Sequence, residues 1–208
     1  NTWEYNPVAH SWTSYAVAPA GGARADFKLA YLESTGKILL YGGTLGGIVS
    51  GGTFEYDPVA HTWASYAPGT TPGVRAKYTM AYSPVEAKAY LVGGVDAASA
   101  QYNDIWSYDP VAHTWATVTS GCSGNCAGPS FRINSELVYS PQDGCLHMYG
   151  GESTPGGTPV YRGDQWRYCP TGNARGTRVF HMLTYDLSAL TVAQRSNIKA
   201  IKVFFNGA

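Results

Sequence analysis

Three histidines recur at one spacing: His10, His61 and His113 stand 51 and 52 residues apart. Imidazole is the commonest metal ligand and the side chain best suited to moving protons near neutrality, so three in register invite a metal centre. Arginines recur as well, at Arg24, Arg75, Arg132 and Arg178, and guanidinium groups gathered at one mouth would bind an anion. Four cysteines complete the reactive set: Cys122, Cys126, Cys145 and Cys169. Cys122-x3-Cys126 with His147 nearby is a poor zinc pattern, because no second close ligand pair follows. Disulfides suit an even count better, with three pairings open, and they imply an oxidising compartment: outside the cell, on its surface or in a periplasm. His147 and His181 are single residues inside strand-like runs and read as packed side chains.

The histidines belong to something larger. Y-D-P-V-A-H-T-W occurs at Tyr56–Trp63 and again at Tyr108–Trp115, with a near copy, Y-N-P-V-A-H-S-W, at Tyr5–Trp12 and a worn one at Tyr168-Cys169-Pro170. Such a period marks one supersecondary unit used several times. Each full unit has the same order. An arginine precedes an alternating run (Phe27–Tyr31, Tyr78–Tyr82, Glu136–Tyr139). After a polar turn, an apolar run closes on a glycine doublet (Ile38–Gly43, Ala89–Gly94, Leu146–Gly151). A variable loop leads to an aromatic run closing on Tyr-Asp-Pro, and V-A-H-T-W opens the last strand. Four strands divided by turn chemistry predict an antiparallel meander. Paired glycines suit positive φ or close backbone approach, and Asp-Pro sets a turn. Tyr56, Tyr108, Trp12, Trp63 and Trp115 supply large plates for packing sheet on sheet. A four-stranded sheet cannot cover both of its own faces, and stacking units around an axis gives each a neighbour on either side.

The order of arginine, alternating strand, Gly-Gly, Tyr-Asp and Trp resembles the kelch repeat over roughly residues 1–170. The resemblance implies an all-β, kelch-type β-propeller with strands a to d running from hub to rim and variable b–c loops on one face. One domain of four blades, each a four-stranded antiparallel sheet, is expected over residues 1–208: a half blade at 1–17, blades at 18–67, 68–119 and 120–177, and a C-terminal half blade at 178–208. The last blade would take strands a and b from 178–185 and 198–207, and c and d from the N-terminal strands of the same chain or of a neighbouring subunit. Residues 178–185 could instead be strand d of the third blade. Trp3, Tyr5, Trp12, Val203 and Phe205 would be the residues of any strand exchange. In blades, repeated positions lie far apart around the rim, so the three histidines cannot converge on a metal and would bond turn carbonyls. The arginines would make blade-to-blade hydrogen bonds. Cys145 and Cys169 would lie near each other at one end of a b–c hairpin, and Cys122 and Cys126 would pair locally.

Composition narrows the function. Fourteen Lys plus Arg balance fourteen Asp plus Glu, so no basic field draws in nucleic acid or anionic lipid. The apolar runs are strand length, too short for membrane insertion. No G-x-S-x-G, H-E-x-x-H or phosphate loop is present, so neither an enzyme nor a cofactor is expected. Some kelch propellers carry a copper-radical oxidase site, and nothing here matches its pattern. The b–c loops differ from unit to unit and display Asp96, Tyr102, Asn103, Glu152, Tyr161 and Arg162, a polar and aromatic set suited to protein or carbohydrate contact. The expected function is a non-enzymatic, extracellular binding module. The alternative is a structural subunit, a homo-oligomer that assembles into a ring or filament by exchanging its N-terminal strands.

Overall fold

Alternating aromatic and small residues, interrupted by fixed turns, fold each unit into a meander. The computed structural model describes residues 1–119, 128–154, 157–169 and 181–183. β1 (Thr2–Asn6) and β2 (Ser11–Tyr15) form a two-stranded sheet. The first blade follows after β3 (Arg24–Ala25): β4 (Leu29–Leu32), β5 (Lys37–Tyr41), a small hairpin of β6 (Thr44–Leu45) and β7 (Ile48–Val49), then β8 (Thr53–Asp57) and β9 (Thr62–Tyr66). The second is β10 (Thr79–Ser83), β11 (Lys88–Val95), β12 (Gln101–Asp109) and β13 (Thr114–Thr119). The third is β14 (Glu136–Ser140), β15 (Cys145–Tyr149), a hairpin of β16 (Glu152–Ser153) and β17 (Val160–Tyr161), then β18 (Gln165–Tyr168) and β19 (His181–Leu183). The pairing orders β4-β5-β8-β9, β10-β11-β12-β13 and β14-β15-β18-β19 are three antiparallel four-stranded blades.

Two corrections arise here. Residues 181–183 pair with β18 as the outer strand of the third blade, where strand a of a last blade was expected. The third unit lacks the Val-Ala-His-Thr-Trp segment that opens strand d elsewhere, so its d strand comes later in the chain. The second concerns Asn103, expected on a b–c loop. Asn103 and Asp104 are buried strand residues, because β12 begins at Gln101. Val203, Phe205, Cys122 and Cys126 lie outside the described residues.

Local chemistry sets the turns. The Asp57 Oδ1 accepts the N–H groups of Val59 and Ala60 at 2.9 Å, as Asn6 and Asp109 do in their copies. The next residue, His10, His61 or His113, closes the turn at φ 49°, 54° or 53°, in the left-handed region. Among the described residues the imidazole bonds no turn carbonyl, where one was expected. In His61 and His113, Nδ1 sits beside a tyrosine hydroxyl of its own unit and a glutamate of the unit before.

That glutamate belongs to a latch between blades. Thr53 and Glu55 lie two apart on β8 and so share one face of it. They meet the second blade as acceptors: the Tyr108 hydroxyl donates to Glu55 at 2.8 Å and the Trp115 indole N–H to Thr53 at 2.9 Å. His113 Nδ1 stands 3.2 Å from Glu55 and its ring stacks on Tyr66. One unit earlier the same set recurs. Tyr56 donates to Glu4 at 2.7 Å, Trp63 to Thr2 at 2.9 Å, and His61 stacks on Tyr15. Between the second and third blades the latch is missing among the described residues. Ile105 and Ser107 occupy the Thr and Glu places, and Tyr90 against Tyr168 forms an aromatic contact instead. Apolar clusters fill both interfaces, one around Leu39, Tyr78, Leu91 and Tyr108, the other around Tyr90, Ile105, Leu146 and Met148.

Burial first, then the hydrogen bond and charge of Glu55, push the Tyr108 phenol above its usual range, and Glu4 acts likewise on Tyr56. An unfolded tyrosine ionises near pH ~10, where these folded ones keep their protons. The native state then binds more protons than the unfolded state, so stability is full below pH ~10 and declines as pH rises toward the folded values. The urea midpoint is expected to drop above pH ~10, less steeply in Tyr108→Phe. At neutral pH that variant loses about 1–3 kcal/mol, because buried Glu55 is left short of a donor.

A second repeated device stitches the inner ends of the blades. Each arginine reaches the carbonyl of the first glycine of its own doublet: Arg24 to Gly42, Arg75 to Gly93, Arg132 to Gly150. Arg75 and Arg132 also clamp Asp104 and Asp164, whose carboxylates accept the Trp106 and Trp166 indole N–H groups. The main chain of the same arginines joins blade to blade: Gly43 N–H donates to the Arg75 carbonyl at 2.8 Å and Gly94 N–H to that of Arg132 at 3.0 Å. The guanidinium groups thus bond within their own units, where blade-to-blade bonds were expected, and the joining falls to the Arg75 and Arg132 main-chain carbonyls. Arg178 lies outside the described residues.

Cys145 and Cys169 form the expected disulfide. Its 24-residue separation predicts that Cys145→Ala/Cys169→Ala loses about 3 kcal/mol by the chain-entropy rule, read as a lower urea midpoint.

Candidate functional site

The residue two places after each recurrent arginine is Asp26, Lys77 or Asn134. Each has positive φ, at 55°, 57° and 56°, and each stands just before an inner strand. They are tied in series: Lys77 N–H donates to the Asp26 carbonyl and Asn134 N–H to the Lys77 carbonyl, both at 2.9 Å. Three side chains from three blades are thereby brought to one mouth, where the b–c loops emerge.

A groove of about 680 Å³ opens there, lined by Asp26, Lys77 and Ile133, by Thr44 and Gly47–Val49 of the first loop, by residues 95–97, Ser99 and Gln101 of the second, and by Glu152, Thr154 and Pro159 of the third. Its floor is held firmly. The Thr44 hydroxyl donates to the Asp26 carboxylate and the Asn134 amide to Glu152, both at 2.9 Å. The second and third loops are pinned together by a pair of bonds: the Gln101 amide N–H donates to the Thr154 hydroxyl at 2.7 Å, and Thr154 N–H to the Gln101 carbonyl oxygen at 3.1 Å. Across this pin lies a smaller hollow of about 320 Å³, lined by Ser99, Gln101, Ser130, Phe131, Ser153, Thr154 and Arg162.

Four charged residues line the larger groove: Asp26, Asp96, Glu152 and Lys77. Asp96 is committed, since it accepts the Ala98 and Ala100 N–H groups and the Tyr102 hydroxyl. Burial alone would raise its pKa, but those bonds and the Arg75 charge outweigh it and hold the carboxyl below its usual range. Lys77 is different. It is half-buried and, among the described residues, its ammonium has no ion-pair partner. Lys77 lines the same groove as the partly engaged carboxylates of Asp26 and Glu152, and an uncommitted ammonium there can take an incoming carboxylate or carbonyl. Among the described residues no group of three or more His, Cys, Asp or Glu side chains could hold a metal ion.

The loop residues singled out from the sequence separate into distinct places. Asp96 and Glu152 line the larger groove and Arg162 the smaller, where its Nη2 donates to the Ser153 hydroxyl at 2.6 Å. Tyr102 lies beneath, its ring 4.0 Å from the Arg75 guanidinium. Tyr161 is exposed and lines neither cavity. Asn103 is buried, its amide bonded to the Pro129 carbonyl, and it lines neither cavity. Sequence reading missed Asp26, Lys77, Gln101 and Thr154. The signal for the first two was present in Arg-Ala-Asp, Arg-Ala-Lys and Arg-Ile-Asn, a fixed arginine followed two places on by a changing polar residue.

Among the rim residues expected to pack blades, Tyr56, Tyr108 and Trp115 are buried and Trp63 is half-buried, while Trp12 is 63% exposed. No helix among the described residues is long and apolar enough to cross a membrane. Comparison with curated protein sequences gave no match. A family model for the Kelch motif matches residues 88–121, the stretch from β11 through β13 that holds a glycine doublet, the Tyr-Asp-Pro turn and the latch residues Tyr108, His113 and Trp115. That match covers one unit, and the all-β sheets on either side of it repeat the same strand order and turn, an arrangement that fits a β-propeller.

Proposed function

We propose that the chain is a non-enzymatic propeller module that binds a segment of another protein in the groove where its b–c loops converge. The observation that carries this reading is Lys77, an uncommitted ammonium in a groove whose walls come from three blades and are pinned by Gln101 and Thr154. The partner segment would place an acidic side chain on Lys77 and apolar side chains on Ile48, Val49 and Pro159. Desolvation in a concave site makes such a charge pair specific. The Kelch motif supports protein binding as the function class. The Cys145–Cys169 disulfide supports a secreted or cell-surface location. In this reading β1 and β2 are the outer strands of a blade that packs before the first. Leu29 and Tyr31 on β4 of the first blade are exposed, where strands a and b of such a blade would cover them.

The test is to select peptides from a randomised displayed library against the folded chain and measure their affinity by calorimetry. Acidic peptides are expected, with binding at least about tenfold weaker to Lys77→Glu and unchanged for Val85→Ser on the opposite side of the repeat. Selected peptides that bind Lys77→Glu as well as the parent chain would refute the site.

A further inference from the structure

The latch between blades has a direction. The third strand of one unit offers Thr and Glu as acceptors, and the next unit offers Tyr, His and Trp. This arrangement is filled twice, by Thr2 and Glu4 against Tyr56, His61 and Trp63, and by Thr53 and Glu55 against Tyr108, His113 and Trp115. A third donor set exists, and among the described residues it is open. Tyr5, His10 and Trp12 have the same types and spacing. They are already in the docked conformation. His10 has φ 49° against 54° and 53° in the filled copies. Its Nδ1 lies 3.2 Å from the Tyr5 hydroxyl, against 3.3 and 3.2 Å there. Tyr5 and Trp12 are tilted at 5.0 Å, against 5.1 and 4.9 Å. Yet Trp3, Tyr5 and Trp12 are all exposed, three aromatic residues on one face of a two-stranded sheet.

We infer that this face is a docking surface for one further blade, a unit in the same repeat register whose third strand carries Thr-x-Glu. The two filled copies dictate the partner's chemistry: a carboxylate to accept from Tyr5 and stand beside His10 Nδ1, a hydroxyl two residues before it to accept the Trp12 indole N–H, and an aromatic ring to stack on His10. A second copy of this chain does not meet these terms. Both of its Thr-x-Glu pairs are engaged within the chain, and its third blade carries Gln165 and Arg167 in those places. Arg167 would set a guanidinium, which has no acceptor, where both filled copies place the carboxylate that accepts from the tyrosine hydroxyl.

The test adds the missing acceptors in tandem. Residues 1–52 are placed before Thr2, so that the added Thr2 and Glu4 face Tyr5, His10 and Trp12 one repeat later. A second chain carries residues 1–104 before Thr2, which presents the acceptors Thr53 and Glu55 from a complete blade. Solvent exchange of the Trp12 indole N–H is followed by NMR, its signal assigned by loss in Trp12→Phe. In the 208-residue chain it should exchange freely. In the extended chains it should slow to the rate of the Trp63 indole, and Thr→Val at the added acceptor should restore fast exchange. If neither extension slows it, or if Thr→Val changes nothing, the inference is overturned. If the unextended chain itself protects Trp12 in a concentration-dependent way, the occupant is a second copy and the inference is equally overturned.

Discussion

Replacing Arg75 with Met will cost the fold about 3–5 kcal/mol, because it leaves the Asp104 carboxylate inside without its partner. Arg75 is 2% exposed. Its Nη1 serves Asp104 and the Gly93 carbonyl, and its Nη2 serves Asp104 and the Pro72 carbonyl. Met fills a similar volume, so the loss reports the polar network and not a cavity. Native domains are stable by only about 5–15 kcal/mol, so the variant should unfold at a far lower urea concentration. Adding Asp104→Asn should recover part of the loss, since the stranded charge is then removed. A single-variant loss under about 1 kcal/mol would mean that the clamp matters little. Arg132 has the equivalent clamp on Asp164, at 2.8 and 2.9 Å. Burial tends to raise the Asp164 pKa, but Arg132 and the Trp166 N–H outweigh it and hold the carboxyl below its usual range. Its share of stability is therefore complete above pH ~4 and lost as acid protonates the folded group.

Gly42→Ala should be comparably severe. A Cβ at Gly42 would lie 2.4 Å from the Arg75 carbonyl oxygen and 2.8 Å from that of Ser50. Both are backbone atoms and cannot swing aside, and the Arg75 carbonyl is the one that binds the preceding blade through Gly43. The left-handed φ adds about 1–2 kcal/mol for an alanine, and the forced shift adds about 1–3 more. Gly36→Ala is the matched control. Its φ is +70° but nothing lies within 4 Å of its Cβ, so only the conformational cost remains. If both variants melt together, the close approach at the doublet is not what fixes the blade spacing.

The strands were largely legible because their punctuation is strong. Glycine doublets and Asp-Pro turns bound β5, β8, β11 and β12 within a few residues of where the sequence places them. The latch was not legible. Glu4 and Glu55 sit in aromatic strands where alternation suggests a solvent-facing residue, and only the neighbouring blade reveals why Glu55 is buried. The third blade misled for the opposite reason: without Val-Ala-His-Thr-Trp, nothing marks its outer strand. The groove was half legible. Loop variation pointed to Asp96, Glu152 and Arg162, but Asp26 and Lys77 meet only because three blades are tied in series through their main chains. Periodicity shows that such residues are equivalent without showing that they are adjacent.

The most direct test of the central claim is to map backbone amide shifts of the folded chain as an acidic selected peptide is titrated in. Binding in the groove predicts that the largest shifts fall at Lys77, Gln101 and Thr154, with smaller ones across 44–49 and 95–99, and that Lys77→Glu needs at least about tenfold more peptide to reach them. Shifts concentrated on the outer strands β9 and β13, with the loop amides unmoved, would contradict it.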